Sequence, residues 1–411
     1  MMRSIELHKI TISFSRYIVF FVIIVAPYLM PYYLRQEILP ASVNTLMDFL
    51  SIALMAFFVI KYLPGLKQVS TRLILVGIMY LLLIYSSYIN GGEAWTATLR
   101  MIRIVLMCAT VSIVAIRSEK FGIWFLYAVK YYTLIFCLAN IILMFIYPTG
   151  IPSYTAGKLA PHFLYANVNT TIKFLFPGML CSTLVDLRKK RISFGTFALW
   201  FCLIYQFLFI YRTATSFIAL LFVTLWVLFR NIISGKIKTI YLISLILILV
   251  LEVSIVLVSN TSVIGFIAGL FGKTSDFTGR LILWQRVARL IHEKPIWGYG
   301  LQSSELIRMS IGNSSGSHNY YLDMVYQQGI VGLAIFLYFA INPLIQIRRN
   351  IHISQTLYVL LGYCIAYLIM FISEPFYGHE ITYFPIFFCS VALCYVDNGL
   401  IENTSSIKVR W

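Results

Sequence analysis

The chain has 411 residues, of which 60% are hydrophobic and only 11% are charged, and its formal net charge is +17. So few polar side chains cannot cover the surface of a soluble protein of this length, which excludes a soluble globular fold. The basic residues fall mainly in short segments between apolar runs, as expected next to anionic lipid headgroups. The bilayer is therefore the expected partner, and nucleic acid is not.

Apolar runs recur along the whole chain, most of them about 17 to 25 residues long, which is enough for a helix to cross a hydrocarbon core. These runs predict a single all-α membrane domain, residues 1–411, with about twelve transmembrane helices. The predicted spans are 17–34, 42–60, 73–89, 99–116, 124–147, 170–187, 193–211, 214–229, 239–259, 319–346, 355–373 and 380–396.

The first span follows three basic residues, but it contains Pro27 and Pro31 and lacks a small-residue cleavage site. We therefore expect a retained helix rather than a signal peptide.

Basic residues alternate strictly between successive loops, which predicts the orientation of the chain. Under the positive-inside rule, both termini and the basic loops face the cytoplasm. The residues that define these loops are Lys61, Lys67, Arg72, Arg117, Lys120, Arg188, Lys189, Lys190, Arg191, Arg230, Lys236, Lys238, Arg348 and Arg349.

The longest connection, residues 260–318, is predicted to lie outside the cytoplasm between the ninth and tenth spans, with short helices of its own. Capping residues at 274–278 and Pro295 predict a helix over 279–292. Its apolar residues fall on one side at helical spacing, whereas Arg286 and Arg289 share another face. Two interpretations stay open, a helix lying on the membrane surface and a part of a binding site.

A glycine-based turn is predicted at 296–300, and a Gly/Ser segment at 312–317 leads through His318 into an apolar helix. A histidine at this entrance would face the aqueous side of the bilayer. His318 is a candidate catalytic residue, with a capping or a packing role as the alternatives.

Charged residues inside spans are costly and tend to be functional. Lys173 and Arg103 lie near predicted outer ends, where either could reach the interface or line an anionic cavity. Lys130 is expected to extend to the cytoplasmic interface. Glu252 lies deeper and is expected to pair internally.

The seven cysteines all lie in apolar spans without metal-binding spacing, and we expect them to be packing residues. Nucleotide-binding and zinc-protease motifs do not occur in the sequence, so no cofactor and no metal are expected. The cysteines are Cys108, Cys137, Cys181, Cys202, Cys364, Cys389 and Cys394.

Several motifs resemble, in order, the carboxy-terminal signature of the O-antigen polymerase and O-antigen ligase family. They are Gly279-Arg280, Trp284, Pro295-Ile296-Trp297-Gly298-Tyr299-Gly300, His318-Asn319 and Gly329-Ile330-Val331-Gly332. Upstream, Tyr211-Arg212-Thr213 is similar to the family's Ser-Arg-Thr segment. Phe163 to Asn169 is similar to its Phe-x-x-x-Asn-Pro-Asn motif, with Val168 in place of proline. The resemblance covers about residues 210–345.

The resemblance implies transfer of a glycan from an undecaprenyl-pyrophosphate donor to a growing glycan acceptor, outside the cytoplasm and in the cytoplasmic (inner) membrane of a bacterium. The product would be capsule, O-antigen or exopolysaccharide. A flippase and a chain-length regulator are the protein partners that such a pathway implies.

The chemistry of the donor assigns roles to particular residues. Arg212 and Arg280 are candidates for the diphosphate, because a guanidinium makes bidentate, charge-assisted contacts to phosphate oxygens. His318 is the candidate general base, and Glu374, with His379 and Glu380, is a second source of a base. Direct displacement would invert the anomeric centre without a metal, with arginine as the electrophile. Candidate substrate-binding residues are Asn167, Asn169, Lys173, Trp284, Arg286, Arg289 and Asn319.

Polymerase and ligase use the same donor, and the sequence barely separates them. The prediction is a polymerase, because it needs no lipid A core as acceptor. A polysaccharide or lipid-linked sugar transporter is the alternative from another class. It is disfavoured because residues 1–190 and 193–396 show no internal repeat and the longest connection is late and external. A structural membrane protein would not need the arginine, glycine-turn and histidine constellation.

Overall fold

The protein is mostly helical in the computed structural model, which describes residues 2–158, 160–229, 236–253, 280–312, 316–349 and 355–374. In chain order the helices are α1 Met2–Leu29, α2 Ala41–Lys61, α3 Ser70–Ile89, α4 Ala94–Ile116, α5 Ile123–Ile146, α6 Pro152–Thr155, α7 Thr171–Lys189, α8 Phe194–Tyr205, α9 Ala214–Leu228, α10 Ile237–Val253, α11 Arg280–Glu293, α12 Ser304–Ile311, α13 Tyr320–Arg349 and α14 Gln355–Phe371. A short antiparallel pair, β1 His162–Phe163 and β2 Ala166–Asn167, precedes α7.

Five helices in the described part of the chain are long and apolar enough to cross a membrane. They are α2, α3, α4, the segment 120–146 that includes α5, and residues 320–342 of α13. Four shorter apolar helices accompany them, within α1, α8 with its π-helical extension, α9 and α14. Large apolar side chains such as Phe49, Ile60 and Ile135 are exposed, as expected where lipid is the solvent. The chain is a multi-pass membrane protein.

The helices α2 to α5 follow the predicted spans closely, because hydropathy is a local property of the chain. The first span was predicted to continue to residue 34, but α1 ends at Leu29, just before Pro31, which has no backbone N–H to continue a helix. The last predicted span, 380–396, lies outside the described residues, as does 254–279, which includes the first part of the predicted outer loop. The count of twelve spans stays a prediction.

The helices pack around a continuous apolar core, in which α1 contacts α2 and α5, α3 contacts α4 and α13, and α14 contacts α7 and α9. Five of the seven cysteines are described, and all five are buried and free, as expected of packing residues. The other two, Cys389 and Cys394, lie outside the described residues.

Charged residues inside this core have internal partners. Lys130 is 4% exposed, and its Nζ lies 3.3 Å from Asp186 Oδ1 and 2.6 Å from Ser193 Oγ. The prediction that Lys130 extends to the interface is therefore wrong, because partners within the bundle already satisfy its ammonium group. Arg103 contacts Asp48 at 3.0 Å.

A break in helix α13 at Gly329 fixes the position of the preceding turn, residues 296–300. Gly329 has a φ of 66°, in the left-handed region, and a β-carbon there would lie 1.8 Å from the carbonyl oxygen of Ile296. The Ile330 N–H donates to the carbonyl oxygen of Pro295 at 2.9 Å. Only glycine permits both this backbone conformation and this close approach. The helix break and the turn before it are thus packed backbone to backbone.

The predicted glycine turn also lies against the end of α3. A β-carbon on Gly300 would lie 2.2 Å from the backbone nitrogen of Ser87, so the two backbones are in direct contact. Ser86 Oγ donates to the carbonyl oxygen of Gly298 at 2.8 Å, and the Leu301 N–H donates to Ser87 Oγ at 2.8 Å. The turn therefore joins α3 to α13 and holds the residues that follow it at a cavity.

Candidate active site

Helix α11 begins and ends within one residue of its predicted bounds, and its apolar face packs on protein. Trp284 and Val287 are buried in a small cluster with residues of α12 and the start of α13. Trp284 Nε1 donates to the carbonyl oxygen of Ser317 at 2.9 Å. This packing favours the second of the two interpretations, because the face that would have met lipid instead supports the segment before α13.

That segment holds His318 in an unusual backbone conformation. His318 has a φ of 57°, which is uncommon for a residue with a β-carbon. Ser317 Oγ donates to the carbonyl oxygen of Asn319 at 2.7 Å and accepts from the Asn319 N–H at 3.0 Å. The Ser317 N–H donates to Asp323 Oδ1 at 2.8 Å. The residues on either side of His318 therefore fix its orientation, a kind of strain found at functional sites.

Asn319 caps α13 and does not line the cavity described below. Its Oδ1 accepts from the Leu322 N–H at 3.0 Å, the N-cap arrangement of a helix. Its Nδ2 donates to the two carboxylate oxygens of Glu252, at 2.9 and 3.1 Å. Glu252 was expected to pair internally, and Asn319 is its partner. Both ends of the Asn319 amide make hydrogen bonds.

An ion cluster joins three distant parts of the chain at Glu374. This carboxylate is 3% exposed, and its oxygens lie 3.6 Å from Arg280 Nη2 and 3.9 Å from Lys173 Nζ. Arg280 Nη1 also donates to the carbonyl oxygen of Ser373 at 2.6 Å. Lys173 is 5% exposed, so a buried carboxylate balances two cations, one of them deeply buried.

The turn before α7 places Lys173. Asn167 Oδ1 accepts from the Asn169 N–H at 2.9 Å, and the Thr170 hydroxyl donates to the carbonyl oxygen of Asn167 at 2.6 Å. Gln206 Nε2 holds the same turn by donating to the carbonyl oxygen of Val168 at 2.9 Å. The contacts described here for the two asparagines of the family-like motif are therefore local, and they begin the helix that carries Lys173.

The electrostatic environment of His318 favours its neutral form. Burial, together with the nearby cations Arg280 and Lys173, lowers the pKa of His318 to about 4. A neutral imidazole beside two cations can accept a proton or a hydrogen bond from a hydroxyl group.

His318 and Lys173 share the wall of a cavity with a volume of about 340 Å³. The wall is formed by the start of α4, by α7, by α11 and α12, and by the first turns of α13. Its residues are Glu93, Arg100, Lys173, Val287, Leu301, Gln302, Ser304, Ile307, Ile311, Gly316, His318, Asp323, Tyr326 and Gln327.

Arg280 contacts Glu374 but does not line this wall, and the other predicted arginines lie outside it as well. Arg212 is exposed, two residues before α9, whose Thr215 hydroxyl lies 2.7 Å from the Ser373 hydroxyl next to Glu374. Arg286 is exposed and donates to the carbonyl oxygen of Ile311 at 3.1 Å. Arg289 is exposed as well. His379 and Glu380 lie outside the described residues.

Five charged or amide residues of the wall were not identified from the sequence: Glu93, Arg100, Gln302, Asp323 and Gln327. The argument that singled out Arg103, a charge within a predicted span, applies equally to Arg100 and Asp323 and could have found both. The two glutamines carried no signal, because an uncharged amide does not stand out in an apolar segment.

A comparison with protein-family models matches residues 197–337 to the family described as O-antigen ligase. This match confirms the resemblance drawn from the motifs. It includes Arg212, Arg280 and His318, whereas Lys173 and Glu374 lie outside it. The comparison with curated proteins found no significant match.

Proposed function

We propose that this protein is a glycosyltransferase that polymerises oligosaccharide repeat units carried on undecaprenyl pyrophosphate. The reaction would take place on the extracytoplasmic side of a bacterial cytoplasmic membrane and build capsule, O-antigen or exopolysaccharide. The observation that carries the proposal is that Arg280 and Lys173 meet at Glu374 while Lys173 and His318 line one cavity, in a membrane protein matched to an O-antigen ligase family model over residues 197–337.

The cation pair fits a diphosphate leaving group. Arg280 offers a planar fork of donors to phosphate oxygens, and Lys173 adds a second positive charge nearby. Cations aimed at the developing charge stabilise the transition state more than the ground state. We assign Glu374 to holding the two cations in place, because its two carboxylate oxygens already contact Arg280 and Lys173. Arg212 would approach the lipid-linked phosphates from the exposed side.

His318 supplies the group that the acceptor needs. An acceptor hydroxyl attacks the anomeric carbon of the donor sugar, and its proton passes to the neutral imidazole of His318. The bond between the anomeric carbon and the diphosphate oxygen breaks, and undecaprenyl diphosphate leaves beside Arg280 and Lys173. A single displacement of this kind inverts the anomeric centre. It needs no metal ion, since Arg280 and Lys173 stabilise the negative charge that develops on the leaving diphosphate.

The arrangement of helix ends supports the proposed orientation. The residues of the site come from segments whose predicted positions are all extracytoplasmic. Basic residues of predicted cytoplasmic loops contact aromatic residues near other predicted cytoplasmic ends, with Arg117 5.0 Å from the Tyr62 ring and Lys189 5.0 Å from the Tyr127 ring. Two chemically different ends of the bundle are the pattern expected of a protein with a fixed orientation in the membrane.

A ligase is the second candidate, and the description of the matching family favours it. The same residues would serve it, with a different acceptor. We favour a polymerase because its acceptor is a second copy of the lipid-linked repeat and requires no additional acceptor molecule. A transporter of lipid-linked sugars, the alternative from another class, would give no role to a neutral histidine that lines a cavity near two cations.

Glycan analysis of a strain lacking the gene separates these functions. Loss of a polymerase leaves glycans of a single repeat, whereas loss of a ligase leaves full-length chains on the lipid carrier. Loss of a transporter leaves single repeats on the cytoplasmic side. Full-length glycan in its normal attachment in the deletion strain would contradict the proposed function.

A further inference from the structure

Besides His318 and Lys173, residues at the start of α4 line the cavity. Glu93 and Arg100 form this part of its wall together with Gln302 and Gln327. The Glu93 N–H donates to the carbonyl oxygen of Leu301 at 2.7 Å, so the start of α4 is held against the glycine turn. Glu93 and Arg100 lie outside residues 197–337, the part matched to the family model.

The charges of the wall favour a neutral ligand. Two acids, Glu93 and Asp323, and two cations, Arg100 and Lys173, line the cavity, and Glu374 already balances Lys173. An anion in this space would lie against two carboxylates, whereas hydroxyl groups can donate to carboxylates and accept from cations. The diphosphate is therefore better placed at Arg280, and a ligand rich in hydroxyl groups is better placed in the cavity.

Gln327 supplies an acceptor without a partner. Its side chain is 7% exposed and lines the cavity, and its Oε1 has no hydrogen-bond partner among the residues that the structure describes. Its backbone is fixed, because the Gly300 N–H donates to its carbonyl oxygen at 2.9 Å. Buried polar atoms are nearly always paired, and a hydroxyl group in the cavity would pair this one.

The size of the cavity agrees with a short saccharide. Its volume of about 340 Å³ lies at the lower end of the range for small-ligand sites, roughly 300 to 1,000 Å³. Tyr326 adds an aromatic side chain to the wall, and its ring stacks on Tyr299 at a centroid distance of 5.1 Å. The amide, carboxylate and guanidinium groups of the wall can form hydrogen bonds with the hydroxyl groups of a sugar, and an aromatic ring can pack against its apolar face.

We propose that this cavity binds the acceptor glycan by a sugar near its non-reducing end, with Gln327 Oε1 accepting a hydrogen bond from a sugar hydroxyl. The proposal rests on the proposed function and adds the site of the second substrate. A hydroxyl group bound here would lie in the same cavity as His318, the proposed proton acceptor.

Binding by the purified full-length protein tests this proposal. The two probes are the free repeat-unit oligosaccharide, released by mild acid from the strain's own lipid-linked intermediate, and undecaprenyl diphosphate. We expect Gln327→Leu to weaken oligosaccharide binding about fivefold, the effect of one neutral hydrogen bond, and to leave undecaprenyl diphosphate binding unchanged. Saturation-transfer NMR should show the strongest contact at a sugar near the non-reducing end. Strongest contact at the reducing-end sugar would overturn the acceptor assignment.

Gln328→Leu is the matched control, because Gln328 is also buried and is adjacent in the chain but does not line the cavity. Oligosaccharide binding should be unchanged in this variant. Glu93→Ala is a second test, and this variant should also bind the oligosaccharide more weakly without a folding defect. Glu93 is exposed, and its side chain makes no capping hydrogen bond to α4.

Three outcomes would overturn the proposal. Equal oligosaccharide binding by wild type, Gln327→Leu and Glu93→Ala would exclude the cavity as the acceptor site. A wild-type protein that binds undecaprenyl diphosphate but no oligosaccharide would also exclude the cavity as the acceptor site. This result would not contradict the proposed function. A wild-type protein that binds neither probe and extends no repeat units would remove both proposals.

Discussion

Glu374 Oε1 lies 3.6 Å from Arg280 Nη2, while Glu374 Oε2 lies 3.9 Å from Lys173 Nζ. One carboxylate thus balances two cations from opposite parts of the chain. Without it the cations would repel each other in a region of low dielectric constant. With it their charges are offset in the folded protein, and the proposed function gives the two cations the further task of binding the diphosphate of the donor.

Removal of the Glu374 charge should destabilise the protein. Glu374→Gln keeps the size of the side chain but removes the carboxylate charge beside the buried Lys173, a change that costs about 3 kcal/mol. Unfolding of the purified protein in detergent, followed by tryptophan fluorescence, measures the loss. Glu305→Gln is the control, because Glu305 is an exposed acid on α12. Equal stability of the two variants would show that the ion cluster contributes nothing measurable to the fold.

His318→Ala should lower the rate of glycan transfer by roughly 10²- to 10⁴-fold at unchanged abundance, because the acceptor hydroxyl loses its proton acceptor. The pH dependence identifies the group. With a pKa of about 4, His318 in the free protein is neutral throughout the range above about pH 5, and the neutral form is lost as the pH falls through 4. The profile of kcat/KM for the wild type should therefore show no histidine titration between about pH 5.5 and 7.5. This range extends roughly one unit to either side of the reference pKa of histidine.

Binding of the anionic donor should raise the pKa of His318, since its charge offsets that of Arg280 and Lys173. The profile of kcat, which reports the bound complex, should accordingly fall at a higher pH than that of kcat/KM. Identical profiles would argue against a histidine beside the diphosphate.

Gly329 should tolerate no side chain. Gly329→Ala would place a β-carbon 1.8 Å from the carbonyl oxygen of Ile296, at a φ of 66° that disfavours alanine. We expect the level of folded protein in membranes to fall severalfold. Gly77→Ala in α3 is the control, because a β-carbon on Gly77 would meet no atom within 4 Å. Normal levels of the Gly329 variant would mean that the turn and α13 are not packed as described.

Local features of the fold could be predicted from the sequence. Hydropathy located α2 to α5, and the spacing of apolar residues with Pro295 located α11. The break at Gly329 was not predicted, because a single glycine within an apolar run is compatible with a continuous helix. It depends on the approach of Ile296, from a different segment.

Partners distant in the chain explain the remaining differences. Lys130 was expected to extend to the interface, because the sequence around Lys130 does not show that Asp186 of α7 packs beside it. Lys173 was identified as a charge that could line a cavity, but its pairing with Glu374 depends on the packing of α7 beside α14. The acidic and amide residues of the cavity wall come together only in the folded chain.

The predicted orientation can be checked directly. A reporter fused after Arg191 should be active only in the cytoplasm, and one inserted between α12 and α13 should be active only outside it. The expectation follows from the basic loops, which resist transfer across the membrane. A reversed location for either reporter would place the cavity on the wrong side for an undecaprenyl-linked donor that has already crossed the membrane.

Transfer by the purified protein in liposomes, with undecaprenyl-pyrophosphate-linked repeat units as donor and acceptor, tests the central claim most directly. We expect the wild type to make multi-repeat glycan and release undecaprenyl diphosphate. Arg280→Lys should be at least about tenfold slower, because an ammonium group keeps the charge but loses the bidentate contact. Arg289→Lys, at an exposed position on the same helix, should match the wild type. Full-length glycan from the Arg280→Lys protein would contradict the role of Arg280, and no extension by the wild type would contradict the proposed reaction.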